Sequence, residues 1–136
     1  MHRLLTAFAV LTLAAMVPLM AQAARMGHAT LHSPLHSMGF PKAMASATLE
    51  YSKHDTVITF HASHLPAPSV LHEKVYILWA TDGGMKDKVG VVTLKNGTGS
   101  LMGSVMMTKI IDLVVTAGRS ASAVSGKTVL SGMVGR

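Results

Sequence analysis

The chain has 136 residues and a formal net charge of +6, with 12 lysine and arginine residues against 6 aspartate and glutamate residues. A chain of this length forms one domain and can bury a single core without metals or disulfides, so its lack of cysteine needs no compensation. The basic residues are scattered and are not interleaved with aromatic residues, which excludes the usual pattern of a nucleic-acid-binding protein.

Residues 1–23 have the pattern of a secretory signal peptide. Arg3 gives a basic head, residues 4–20 are uncharged, and an Ala-Gln-Ala sequence ending at Ala23 supplies the small residues that signal peptidase reads. Pro18 ends the apolar run before it reaches the about 20 residues of a spanning helix. We therefore predict cleavage after Ala23 and a periplasmic or secreted protein. The alternative is an uncleaved anchor with the domain still outside, the only case in which we expect contact with a membrane.

Residues 24–43 have no sustained hydrophobic period, and we predict that they form a flexible arm. The arm is rich in imidazole and thioether side chains, which together suit copper, the thioether preferring the reduced ion. Pro34 breaks the helical geometry that would place histidines four residues apart on one face. The alternative is that a solvated arm simply tolerates these side chains. The candidate copper ligands are Met26, His28, His32, His36 and Met38.

From residue 44 onward, short runs of β-branched and apolar residues alternate with turn residues at the spacing of an all-β domain. The predicted strands are 44–51, 56–62, 74–81, 88–94, 100–107, 110–116 and 127–134. Asn96 and Gly97 both tolerate positive φ, so they predict a type I′ turn that joins two of these strands as a hairpin. No run has the length and period of a helix. Residues 44–136 are therefore predicted to form an antiparallel, immunoglobulin-like β-sandwich of about seven strands.

Alternation within the predicted strands assigns several side chains to the core or the surface. Trp79 lies in the most continuously apolar strand and is expected inside the sandwich. Met102, Met106 and Met107 are expected to fill the core or line its lip, because unbranched thioethers fit irregular gaps. His61 alternates out of phase with its apolar neighbours and is expected to face solvent.

Several short segments follow one another in a characteristic order in the second half of the chain. They are Leu-Pro-Ala-Pro at 65–68 before Lys-Val-Tyr-Ile-Leu-Trp at 74–79, Asp-Gly-Gly at 82–84 before Val-Gly-Val-Val at 89–92, and the strands at 112–116 and 128–132. From about Thr48 to the end, the chain thereby resembles the extracytoplasmic C-terminal domain of anti-sigma-K factors. The resemblance implies an extracytoplasmic binding or sensing module. Because three residues precede the apolar run at 4–20, we expect that this chain does not itself bind a sigma factor.

No pattern in the sequence predicts catalysis. The six carboxylates have no spacing that fixes two of them as an acid–base pair. There is no nucleophile elbow, and the glycine pairs lack the following helix that a phosphate cradle needs. The sequence therefore predicts a non-enzymatic exported module with a protein or peptide partner outside the cytoplasm. The alternative function is a periplasmic copper-binding protein that uses the His and Met ligands of the arm.

Overall fold

The computed structural model describes residues 25–135, so the predicted signal peptide lies outside the described residues. The strands are β1 (Met26–His32), β2 (Met44–Tyr51), β3 (Thr56–Ser63), β4 (Val75–Thr81), β5 (Lys86–Lys95), β6 (Thr98–Val105), β7 (Asp112–Gly118) and β8 (Lys127–Gly135). Two 3-10 helices, Phe40–Lys42 and Pro68–Leu71, follow β1 and β3. Neither of these helices in residues 25–135 is long or apolar enough to cross a membrane.

The strands close into an antiparallel barrel in the order β1-β2-β3-β6-β5-β4-β7-β8, with β8 returning to β1. The prediction of an all-β antiparallel domain is confirmed. The prediction of an immunoglobulin-like sandwich of about seven strands was wrong, because an eighth strand completes the ring. β1 pairs with β2 on one side and with β8 on the other, and so joins two strands that would otherwise present open edges.

This additional strand comes from the segment that was predicted to be a flexible arm. Its burial alternates strictly, with Gly27, Ala29 and Leu31 facing inward and the residues between them exposed. Glycine and alanine add little hydrophobicity, so the period of two is weak in the sequence although it is complete in the structure. The prediction of a flexible arm over 24–43 was therefore wrong for the part that forms β1.

The barrel interior is one hydrophobic core to which every strand contributes. Phe60, Tyr76 and Leu113 are among its fully buried side chains, and Phe40 of the first 3-10 helix belongs to the same core. Within residues 25–135, no buried side-chain polar atom lacks a hydrogen-bond partner. An eight-stranded barrel has an interior just wide enough for its own side chains to fill. Binding surfaces are therefore to be sought on the outside of the barrel and at its ends.

The hairpin predicted between β5 and β6 is confirmed. Lys95 pairs with Thr98, and the two residues between them have φ angles of 53° at Asn96 and 79° at Gly97. Positive φ at both central residues is the requirement of a type I′ turn, whose twist matches that of the flanking strands.

Candidate functional site

The side chains predicted as copper ligands are exposed, but they do not converge. Met26, His28 and His32 alternate along the outer side of β1. A strand advances about 3.3 Å per residue, so the Cα atoms of Met26 and His32 are about 20 Å apart. His36 and Met38 lie, also exposed, in the connection that follows β1. One ion cannot be held by all of these residues together.

The outward residues of five neighbouring strands form one surface, which we call the His/Met face. It consists of Met26, His28, Thr30 and His32 of β1; Met44, Ser46, Thr48 and Glu50 of β2; Val57, Thr59, His61 and Ser63 of β3; Ser100, Met102 and Ser104 of β6; and Ser131 and Met133 of β8. Of these described residues, only Glu50 is formally charged when the imidazoles are neutral, although the whole chain has a net charge of +6. The lysine and arginine side chains thus lie outside the His/Met face.

Strand register arranges the His/Met face in rows that run across the strands. The middle row consists of hydroxyl groups and one imidazole, from Thr30, Ser46, His61 and Ser100. In the next row, Met44 lies directly opposite His32 on one side and Ser63 on the other. Directly opposite side chains of an antiparallel pair have Cβ atoms about 4.5–5.5 Å apart, so the members of one row can interact.

Two shallow grooves cross this face over small side chains. The larger has a volume of about 370 Å³ and is lined by His28, Ala29, Thr30, Ser46, Ala47, Thr48, Thr59 and His61. The second has a volume of about 270 Å³ and is lined by Thr30, Met44, Ala45, Ser46, His61 and Ser63. His61 lines both grooves, and its exposure confirms the expectation that it faces solvent.

Methionine is unusually exposed on this barrel. The expectation that Met102, Met106 and Met107 fill the core or line its lip is wrong for Met102, which is 70% exposed on the outer side of β6. Met107 is only 9% exposed and belongs to the core, and Met106, 78% exposed, lies at the end of the barrel. Among residues 25–135, no three His, Asp or Glu side chains come close enough to hold a metal ion. A metal site in this part of the chain would therefore need donors of other types, such as methionine sulfur, hydroxyl groups or backbone carbonyls.

Trp79 lies on the opposite side of the barrel and not in its interior. It points outward from β4 and is only 5% exposed, because the loop between β7 and β8 covers it. Lys86 Nζ lies 4.3 Å from the centre of the indole ring and donates a 2.9 Å hydrogen bond to the carbonyl oxygen of Val124 in this loop. Lys88 donates in the same way to the carbonyl of Ala121. The expectation that Trp79 is buried is confirmed, but its place inside a sandwich was wrong.

A further groove of about 340 Å³ lies near one end of the barrel and includes Asp82, Met106 and Lys109. The Asp82 carboxylate accepts backbone N–H groups from Gly84 at 3.1 Å and Met85 at 2.7 Å. These hydrogen bonds to the ionised form lower the pKa of Asp82. The carboxylate therefore shapes the turn between β4 and β5, and the hydrogen bonds of this turn, that from Met85 first, are the physical cause of its lowered pKa.

Sequence reasoning identified the β1 part of the His/Met face and missed the contributions of the other strands. Met44, Met102 and Met133 face outward with the hydroxyl residues of their strands. These outward residues could have been predicted from the sequence, because His, Met, Thr and Ser alternate with small apolar residues at a period of two, as in residues 26–32 and 44–50.

No protein-family model matches the chain, and no curated protein or solved structure matches it. The anti-sigma-K resemblance therefore stays a prediction.

Proposed function

We propose that the protein is a non-enzymatic binding or sensing module that acts outside the cytoplasm, with the His/Met face as its contact surface for a protein or peptide partner. The observation that carries this proposal is the composition of that face. It spans five strands and presents thioethers, imidazoles and hydroxyl groups with one formal charge, in a chain whose net charge is +6.

The exposed thioethers support a contact surface. Met44, Met102 and Met133 are 43%, 70% and 75% exposed, and methionine is ordinarily a buried residue. Flexible, polarisable methionine side chains adapt to partners of different shape, which is why they are frequent at binding surfaces. The small Ser and Thr side chains between them leave grooves into which a partner's side chains could fit.

Two further considerations support a role in binding without catalysis. Perturbed pKa values are typical of catalytic groups, but both groups with a resolved shift in the described chain have structural partners. Tyr76 donates its hydroxyl to the carbonyl of Pro66 at 2.6 Å, and Asp82 accepts the turn N–H groups. The resemblance to the extracytoplasmic domain of anti-sigma-K factors also favours a sensing or binding module.

Site-specific photo-cross-linking in the exported protein tests this proposal. A photoreactive residue at Thr48, in the middle of the His/Met face, is expected to give a discrete cross-linked product. The same residue at Val124, in the loop across the barrel, should not give it. The substitution Thr59→Arg places a long charged side chain directly opposite Thr48 and should abolish the product. A product formed equally from Val124, or one insensitive to Thr59→Arg, would contradict the assignment of the binding surface.

A second candidate function is copper binding. The five candidate ligands predicted from the sequence are spread too widely to hold one ion. A different pair of residues favours copper binding. Met44 of β2 lies directly opposite His32 of β1, so the two donor types of the hypothesis meet across strands.

A further inference from the structure

The pairing of β1 with β2 brings one thioether and one imidazole side by side. Met44 and His32 are registered partners at the end of the β1–β2 ladder, and both side chains are exposed on the outer side of the barrel. Directly opposite residues have Cβ atoms about 4.5–5.5 Å apart. The sulfur of one side chain and a ring nitrogen of the other can therefore approach the same point above the sheet.

Other exposed methionines of the strands have different registered partners. Met26 lies opposite Glu50, and Met102 lies opposite Thr59. Met133 is paired with Asp112 of β7. Among these methionines of the described chain, Met44 is thus distinguished by a histidine as its direct cross-strand neighbour.

We propose that His32 and Met44 form a binding site for a soft monovalent cation, with Cu⁺ as the natural ion. Imidazole nitrogen and thioether sulfur are donors that suit copper, and methionine sulfur favours its reduced form. Metal–nitrogen and metal–sulfur bonds are each about 2 Å long, so one ion bridges donor atoms about 4 Å apart. With Cβ atoms about 4.5–5.5 Å apart, rotation about the side-chain bonds of His32 and Met44 can bring the sulfur and a ring nitrogen to this separation.

The surroundings of the pair favour a cation. Ser131 is the registered neighbour of His32 on β8, and Ser63 is that of Met44 on β3. His61 lines the same groove as Met44. No lysine or arginine belongs to the described His/Met face, so an entering cation meets neutral donors despite the positive charge of the whole chain.

This site rests on the copper-binding candidate function and not on the proposed partner surface, so the two can be tested separately. Silver ion, in a buffer free of chloride, is a suitable probe because it is a soft monovalent cation that does not change oxidation state. The methionine methyl signals of the purified protein are followed by NMR during the titration. The Met44 methyl signal is expected to shift first and to saturate at about one equivalent of Ag⁺, before the signal of Met106 moves.

Two variants and one matched control complete the test. Loss of a residue that only orients a metal ligand typically weakens metal affinity about 10–100-fold, so Met44→Leu and His32→Gln, which each remove a ligand, should each weaken Ag⁺ affinity about tenfold or more. Met106→Leu removes a more exposed thioether at the barrel end and should leave the affinity unchanged. Both site residues are exposed, and circular dichroism confirms that each variant is folded. Simultaneous shifts of the Met44 and Met106 signals, or unchanged affinity in Met44→Leu, would overturn the site even if the partner surface were verified by cross-linking.

Discussion

The indole nitrogen of Trp79 donates a 2.8 Å hydrogen bond to the hydroxyl oxygen of Thr116 on the neighbouring strand β7. Both side chains lie outside the barrel and are nevertheless buried, under the loop between β7 and β8. Ile77 is buried beside them on the outer side of β4. This side of the barrel thus carries a second, smaller packed region, whereas the His/Met face on the other side is open.

Removing the Trp79 ring should destabilise the protein although the ring is outside the main core. Trp79→Ala loses the packing beneath the loop and the contact with Lys86, and we expect the free energy of unfolding to fall by about 3–5 kcal/mol. Urea denaturation measures this change. A Trp79→Ala variant as stable as the parent would show that packing of the indole ring beneath the loop does not stabilise the fold.

The hydrogen bond itself is separable from the packing by a double-mutant cycle. Thr116→Val keeps the shape of the acceptor but leaves the buried indole N–H unpaired, which should lower the free energy of unfolding by about 1–3 kcal/mol. In a Trp79→Phe background, Thr116→Val should leave the free energy of unfolding nearly unchanged, because phenylalanine has no N–H group that would be left without a hydrogen-bond acceptor. Additive effects of the two substitutions would contradict the hydrogen bond.

The two lysines should control access to the loop that covers Trp79. Lys86 and Lys88 donate hydrogen bonds to backbone carbonyl oxygens of this loop and so keep it against the barrel. The double substitution Lys86→Met and Lys88→Met is therefore expected to increase tryptic cleavage after Arg119 several-fold. Mass spectrometry of timed digests measures this rate. Lys95→Met, at the other end of β5, is the matched control and should leave cleavage at Arg119 unchanged.

Ionisation of the Tyr76 phenol should lower the free energy of unfolding at high pH. Burial raises the pKa of Tyr76 from 10.0 to about 12 in the folded state, because the charged phenolate is poorly solvated there. Above pH 10 the unfolded chain therefore loses this proton first, and the free energy of unfolding should fall by up to about 3 kcal/mol as the pH rises towards 12.

Urea denaturation at several pH values checks this, with Tyr76→Phe as the comparison. The Phe variant removes the ionisation and should lack this component of the alkaline decline, while Tyr51→Phe should retain it. The same slope in the parent and in Tyr76→Phe would assign the loss of stability to other groups.

Closure of the barrel should depend on Gly132. A Cβ atom at this position of β8 would overlap the carbonyl oxygen of Thr30 on β1, whereas a Cβ at Gly84 would meet nothing within 4 Å. We expect Gly132→Ala to lower the free energy of unfolding by about 1–3 kcal/mol or more, through forced movement of the backbone. Gly84→Ala should be close to neutral in the same denaturation experiment. Equal stability of the two variants would contradict the close approach of β8 to β1.

The predicted signal peptide is tested by expressing the full chain, fractionating the cells and measuring the mass of the protein in each fraction. Cleavage after Ala23 predicts a mature chain that begins at Ala24, two residues before β1. Mass spectrometry decides between this product and a chain that retains residues 4–20, which would favour the uncleaved anchor.

Local patterns were sufficient for most of the strands. β2 to β8 correspond to the seven predicted strands. The turn was predicted because Asn96 and Gly97 are both residue types that tolerate the positive φ angles of a type I′ turn. β1 was missed because Gly27 and Ala29, which face the interior, scarcely differ in hydrophobicity from a loop sequence. The alternation within residues 26–32 is a weak signal by itself, and pairing with β2 and β8 makes this segment a strand.

The candidate site was likewise predictable in part from the sequence and in part only from the structure. The sequence by itself determined that the chain forms β-strands and that histidine and methionine are abundant before and within them, because these properties reside in composition and in short-range alternation. Only the tertiary structure decided that Met44 lies opposite His32 and that Trp79 is buried outside the barrel. Apart from the β5–β6 hairpin, which a local turn pattern predicts, neighbours such as β3 and β6 or β1 and β8 are brought together by pairing between distant parts of the chain, and short-range alternation does not specify those pairings or their register.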